Sequence, residues 1–256
     1  MSEREIRVHT GDGEMKTFVV HPDGDGPYPV AVVYMDAPGY REQLKVNARR
    51  FAADSYYCVA PDLFYRSGDG ITVDMAALAA ANFQGPEMER LMALVGSVTP
   101  ENVRADTEAI FEAIAADPAA DLAAKVCIGY CMGARFALHV ASTLPDEFVA
   151  AAGIHPGPLA TDAPDSPHHE LAGVRGELYF AFAETDQRVP PEMVDTFRDE
   201  LARHGVAGVV EIAPGTHHGF AMADLSVYEP QAAERHFERT LDLWRRNLAG
   251  EPARST

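Results

Sequence analysis

Val30-Ala31-Val32-Val33-Tyr34-Met35 is apolar at every position, and Asp36-Ala37-Pro38-Gly39 stops the run abruptly. A strand with one wetted face would alternate apolar and polar side chains. A short unbroken apolar run suits a strand covered on both faces, as in a parallel sheet. Comparable runs recur along the chain, separated by stretches of helical periodicity. Strands alternating with helices imply an α/β fold, a mostly parallel sheet with helices on both faces. Active sites in such sheets lie beyond the carboxyl ends of the strands.

Ile6 to His21 forms a strand pair around Gly11-Asp12-Gly13. His21 to Pro27 is a loop dense in turn residues. A helix is expected over 42–54 and a strand over 56–60, stopped by Pro61. Residues 74–98 read as helices interrupted at Gly85-Pro86, a cap-like segment. Thr99-Pro100 supplies the cap and first turn of a helix over 101–116. Strands follow over 125–128, 150–154, 177–183 and 209–212, with helices over 132–143 and 191–205. The last helix, 231–248, carries Phe237, Leu241 and Trp244 at helical spacing, a packing stripe. No repeat or linker divides the chain, so residues 1–256 read as one domain.

Lys and Arg total 21 against 39 Asp and Glu, a formal charge of -18. That balance repels phosphate backbones and anionic lipid, which argues against nucleic-acid and membrane partners. No run approaches the roughly 18 apolar residues of a spanning helix. Three cysteines, Cys58, Cys127 and Cys131, make no disulfide framework. The charged start Met1-Ser2-Glu3-Arg4-Glu5 has no apolar signal core. The expectation is a cytoplasmic protein with free thiols.

The strongest local signal is Gly129-Tyr130-Cys131-Met132-Gly133, between an apolar strand and a helix rich in Ala, Leu and Val. This is a nucleophile-elbow pattern with cysteine in the usual serine position. The tight turn pushes the side chain out at the sheet's edge. The helix beginning at Met132 points its amides and positive end at that side chain, which suits an oxyanion and favours a thiolate. The bland alternative is a buried structural cysteine, the reading given to Cys58 and Cys127.

A hydrolase of this kind needs an acid and a base downstream, in that order. After the strand 178–183 comes Glu184-Thr185-Asp186-Gln187-Arg188-Val189-Pro190, where Asp186 sits just past the strand end and Glu184 competes with it. After 209–212 comes Pro214-Gly215-Thr216-His217-His218-Gly219-Phe220. A histidine there can take a proton from the nucleophile while its other nitrogen faces the acid. The residues alone leave His217 and His218 both open.

The chain resembles the dienelactone hydrolase family from about Thr17 to Leu248. The resemblance rests on the elbow, on Pro61-Asp62-Leu63-Phe64-Tyr65-Arg66, on Asp186 before Val189-Pro190, and on His218 before Gly219-Phe220. It implies an α/β-hydrolase fold in which Cys131 attacks a carbonyl, His218 shuttles the proton and Asp186 orients His218. It also implies an oxyanion hole from the amides of Met132 and Ala37, water resolving the thioester, and no cofactor. The chain departs from the family at two places. The family's best-known members carry a glutamate near the resting thiol, where this chain has Asp36. The arginines that bind dienelactone's carboxylate are absent: Met222 holds one position, and no Lys or Arg occurs between Arg66 and Arg90. An unpaired buried carboxylate is costly, so the expected substrate is an uncharged small ester or lactone, unless Arg66 faces the pocket. His155, after the strand 150–154, is a further pocket candidate. His168-His169 has no cysteine or regular carboxylate spacing around it, so no metal site is expected. Thioesters or acyl acceptors would use the same triad, and a redox or ligand-binding thiol protein is the competing class. The sequence does not set the oligomeric state.

Overall fold

The computed structural model describes residues 1–81 and 84–250. Residues 82–83 of the expected cap-like segment and 251–256 of the expected domain lie outside the described residues. The first two strands, β1 (Ser2–Thr10) and β2 (Gly13–His21), form an antiparallel pair turning at Gly11-Asp12. They are followed by β3 (Tyr28–Tyr34), β4 (Tyr57–Pro61), β5 (Ala120–Tyr130), β6 (Ala150–Ile154), β7 (Glu177–Thr185) and β8 (Gly208–His217). All join one sheet in the order β1-β2-β4-β3-β5-β6-β7-β8. The β1–β2 and β2–β4 pairs are antiparallel, and every other neighbour is parallel. The continuously apolar runs occupy the parallel part, as their lack of alternation requires: Val30 to Tyr34 and Ala150 to Ile154 are buried on both faces.

The helices are α1 (Glu42–Ala52), α2 (Met75–Ala80), α3 (Pro86–Ser97), α4 (Pro100–Ile114), α5 (Met132–Thr143), α6 (Pro191–Arg203) and α7 (Pro230–Leu248). α1 and α7 share one face, where Phe51 meets Phe237 at 4.9 Å and Trp244 at 4.7 Å between ring centres. The 231–248 stripe is therefore a core stripe, with Phe237 and Trp244 buried. On the other face α4 packs on α5, and a short 3-10 segment, 167–173, bridges α5 to α6. Thr99 caps α4 as expected, its Oγ1 accepting from the Asn102 amide at 3.2 Å. No helix among the described residues is long and apolar enough to cross a membrane.

Two strands outrun their sequence limits the furthest. β5 begins five residues before Lys125, across a register irregularity opposite Pro29/Val30. β8 continues through Pro214-Gly215 to His217, and Thr185 pairs with His217 after a second irregularity. The turn residues there bend the strand edge instead of ending it, and so deliver His218 beside the end of β7.

Candidate active site

Three strand ends supply the site. Cys131 lies between β5 and α5, at φ 52° and ψ −112°, a positive φ that is rare outside glycine. Its amide is tied to Ile154 O at 3.0 Å, which anchors the turn to β6. The flanking glycines are needed for close approach. A Cβ on Gly129 would lie 1.9 Å from Gly133 O, and one on Gly133 would lie 2.6 Å from Met35 O. Any larger side chain at either position would force the elbow apart.

His218, directly after β8, bridges the other two candidates. Its Nδ1 donates to Asp186 Oδ2 at 2.6 Å, and its Nε2 lies 3.0 Å from Cys131 Sγ. Asp186, past β7, also accepts the Arg188 amide at 3.0 Å. His217 is exposed on β8. Glu184 instead accepts the Gly215 amide at 2.8 Å and braces the bend in β8.

The electrostatics couple these groups. Burial works against ionising Cys131. The charge and hydrogen bond of His218 outweigh it, Arg188 adds to them, and the thiol lies below its ordinary range. Burial likewise works against charging His218, yet Cys131 and Asp186 hold its pKa up to about 9. Asp186 is lowered despite burial, by the His218 hydrogen bond and the Arg188 amide. The arrangement favours a thiolate facing an imidazolium.

The remaining sequence candidates fall in different places. Ala37 lies in the turn past the end of β3, and Met132 begins α5 beside Cys131. His155 is buried at φ 38°, edge-on to His218 and to Phe220, each at 5.4 Å. Burial pushes its pKa well down, so the ring behind His218 is neutral. Asp36 is buried, and both its oxygens are held by Arg41. Arg66 is not offered to a pocket: its guanidinium is bound by buried Asp106 at 2.7 and 2.8 Å and by Asp12 at 2.8 Å. Met222 is fully buried, its sulfur 3.6 Å from Asn47 Nδ2. The His168 and His169 rings lie 3.9 Å apart between centres, tilted by 44°, with His168 Nδ1 2.8 Å from Ser166 Oγ.

Sequence reasoning missed two arginines. Arg41, just ahead of α1, carries Asp36 and Asp224. Arg188 is exposed, with Nη2 3.2 Å from His218 Nε2. Its only sequence signal is its place two residues after Asp186. Nothing local signals the partners of Arg41.

The sequence profile described as "Dienelactone hydrolase family" matches residues 15–248. The chain belongs to the dienelactone hydrolase family. As a member it is an ester or lactone hydrolase on an α/β-hydrolase fold. It is 25% identical over 89% of its length, and 80% of the relative's, to an Escherichia coli (strain K12) protein named "Putative carboxymethylenebutenolidase". An Azospirillum brasilense protein of the same name is 26% identical, over 95% of this chain and 99% of that one. Among solved structures, a Klebsiella pneumoniae protein named "Putative Dienelactone Hydrolase" superposes with TM-score 0.81 at 22% identity, covering 95% of this chain and 98% of that one. A Pyrococcus horikoshii acylaminoacyl peptidase shares the fold at TM-score 0.71 and 17% identity, over 96% of this chain and 41% of that one.

Proposed function

We propose that this hydrolase opens a small ester or lactone through a covalent acyl-enzyme, with Cys131 as nucleophile, His218 as acid and base, and Asp186 orienting His218. The observation that carries the reading is the single imidazole joined to Asp186 at 2.6 Å and to Cys131 Sγ at 3.0 Å. In the first half-reaction the thiolate forms a bond to the carbonyl carbon, and the carbonyl electron pair moves to oxygen. The amides of Met132 and Ala37 receive that oxyanion. Collapse breaks the carbon–oxygen bond, and the imidazolium gives its Nε2 proton to the leaving oxygen. In a lactone that oxygen stays tethered to the acyl chain. Water then attacks the thioester, His218 takes its proton, and the thiolate departs.

The substrate reading is an uncharged group, or one whose charge stays in solvent. Arg66 is committed to two carboxylates, and Met222 brings no charge. A buried substrate carboxylate would have neither cation to meet.

The test is hydrolysis of a small neutral aryl ester and a carboxylated enol lactone by wild type and Cys131→Ala, with intact-mass detection of an acylated chain. The expected result is turnover of the neutral ester, a mass increase on wild type, and no activity in Cys131→Ala. Preference for the carboxylated lactone would overturn the charge argument and leave the triad standing. Turnover by Cys131→Ala would remove the cysteine mechanism.

A further inference from the structure

Asp36 and Arg41 stand where two loops of the site meet. Arg41 holds Asp36 through Nη1 and Nη2, the latter to Oδ2 at 3.0 Å. Its Nη1 also donates to Gly39 O at 3.3 Å, inside the turn that carries Ala37. Its Nε and Nη2 hold Asp224 at 2.6 and 3.0 Å, six residues beyond His218. One guanidinium therefore joins the loop after β3 to the loop after β8. The rigid fork of Arg suits two carboxylates at once.

The carboxylate it holds is no bystander. Asp36 is 2% exposed, and its charge opposes ionisation of Cys131. Burial lifts the Asp36 carboxyl above its ordinary range, while Arg41 pulls it back. A buried carboxylate deprived of its cation takes up a proton near neutrality and becomes a titrating group. Asp36 follows β3, whose end pairs with the end of β5 that leads into Cys131, and Met35 O lies 2.6 Å from where a Gly133 Cβ would be. At that place such a group would compete with His218 for the same proton.

We infer that Arg41 is a positioning residue that locks Asp36 as a fixed carboxylate, so that the proton of Cys131 passes to His218 alone. The same clasp holds the turn bearing Ala37 against the loop bearing His218. The inference rests on the proposed triad. Among the described residues, the charged or titratable groups that act most on Cys131 are His218, Asp36 and Arg188. Around Asp36 stand Arg41, Asp224 and Tyr130. Tyr130 is pushed up by burial and is neutral, as is His155 behind His218. Among these groups Asp36 is the acid that could intrude on the pair.

The test is the pH profile of Cys131 alkylation by iodoacetamide, read by peptide mass. Buried Cys58 and Cys127 stay silent in the native fold. Wild type should show one acid-side step, for the thiol paired with His218. Arg41→Gln should add a second step from Asp36, with kcat falling about tenfold and KM changing less. Arg41→Gln/Asp36→Asn should return to one step. A single wild-type step in Arg41→Gln, or a second step persisting in the double variant, overturns the inference. Where Arg41→Gln melts too early to titrate, Asp36→Asn alone decides. A kcat within about tenfold of wild type supports a locked carboxylate, and a loss of about a hundredfold or more means Asp36 carries the proton itself. A wild-type thiol that titrates in the ordinary range, unaffected by His218→Gln, would fell the triad and this inference together. A lowered, His218-dependent step indifferent to Arg41 fells this inference only.

Discussion

Asp36 and Asp186 occupy matching places, each just beyond the carboxyl end of a parallel strand and each paired with a cationic side chain. Their environments drive them apart. Asp186 accepts a backbone amide as well as the His218 ring, and it stays below the usual carboxylate range although burial works against it. Asp36 has the Arg41 guanidinium as its side-chain partner and lies deeper, so burial keeps it above that range. Position in the topology offers a carboxylate to the site, and the partner then decides its role. In the proposed mechanism, an imidazole that must turn and exchange protons makes Asp186 an orienting acid. In the inference drawn from Arg41, a permanently charged guanidinium makes Asp36 a strut.

The largest effect that sharpens this contrast is in the two Asp→Asn variants side by side. Asp186→Asn replaces the carboxylate with an amide whose NH2 can donate to Nδ1, so the Nδ1–H tautomer is no longer enforced and the proton shifts to Nε2, which then cannot take the thiol proton. Its kcat should fall about 10³- to 10⁴-fold on a neutral ester. Asp36→Asn should remain within about tenfold of wild type. Equal losses in the two variants would break the contrast.

The next effect is in pH. The ion pair requires Cys131 deprotonated and His218 protonated, so activity should fill the window between the lowered thiol pKa and His218 at about 9. Below the window the thiolate is lost, and above it the leaving oxygen has no proton donor. The sign for His218 follows from its raised value. The stabilisation from its pairing is complete below its unfolded pKa, near 6.5, and is lost as pH rises through about 9. In Asp186→Asn the alkaline limb should move to lower pH, because a raising partner is gone. An unmoved limb would assign that ionisation elsewhere. kcat against pH for the two enzymes checks this.

How much of this was legible depends on the range of the interactions involved. The elbow was readable because its demands are local: two glycines forced by close backbone approach, with a strand before and a helix after, α5 starting and ending at the expected residues. The parallel sheet was readable from unbroken apolar runs. The ends of β5 and β8 were not, because pairing across irregular register carried the strands past residues that look like stops. Chain order narrowed the base to His217 or His218 and the acid to Asp186 or Glu184. The family resemblance favoured His218, and the structure sets His218 and Asp186 side by side. Arg41 could not, since its carboxylates are five residues away on one side and 183 on the other. Arg66 shows the reverse error of the same kind. It lies in a family-like segment, but a helix 40 residues on takes its charge through Asp106.

The smallest effect concerns Glu184, the acid that competed with Asp186 in the sequence. It lies two residues earlier, inside β7, and that offset turns it from the imidazole to the Gly215 amide at 2.8 Å. Glu184→Gln keeps an acceptor oxygen for that amide and changes only the charge on an exposed residue. kcat should stay within about twofold, and stability should change by no more than about 0.5 kcal/mol. Glu184→Ala removes the brace on the bend that presents His218. It should lose about 1 kcal/mol in thermal or denaturant unfolding, with a modest fall in kcat. If Glu184→Gln lost activity on the scale of Asp186→Asn, the acid would have to be shared between two carboxylates. The contrast between Asp186 and Asp36 would then need a third term: a carboxylate that acts on the base through the backbone that carries it.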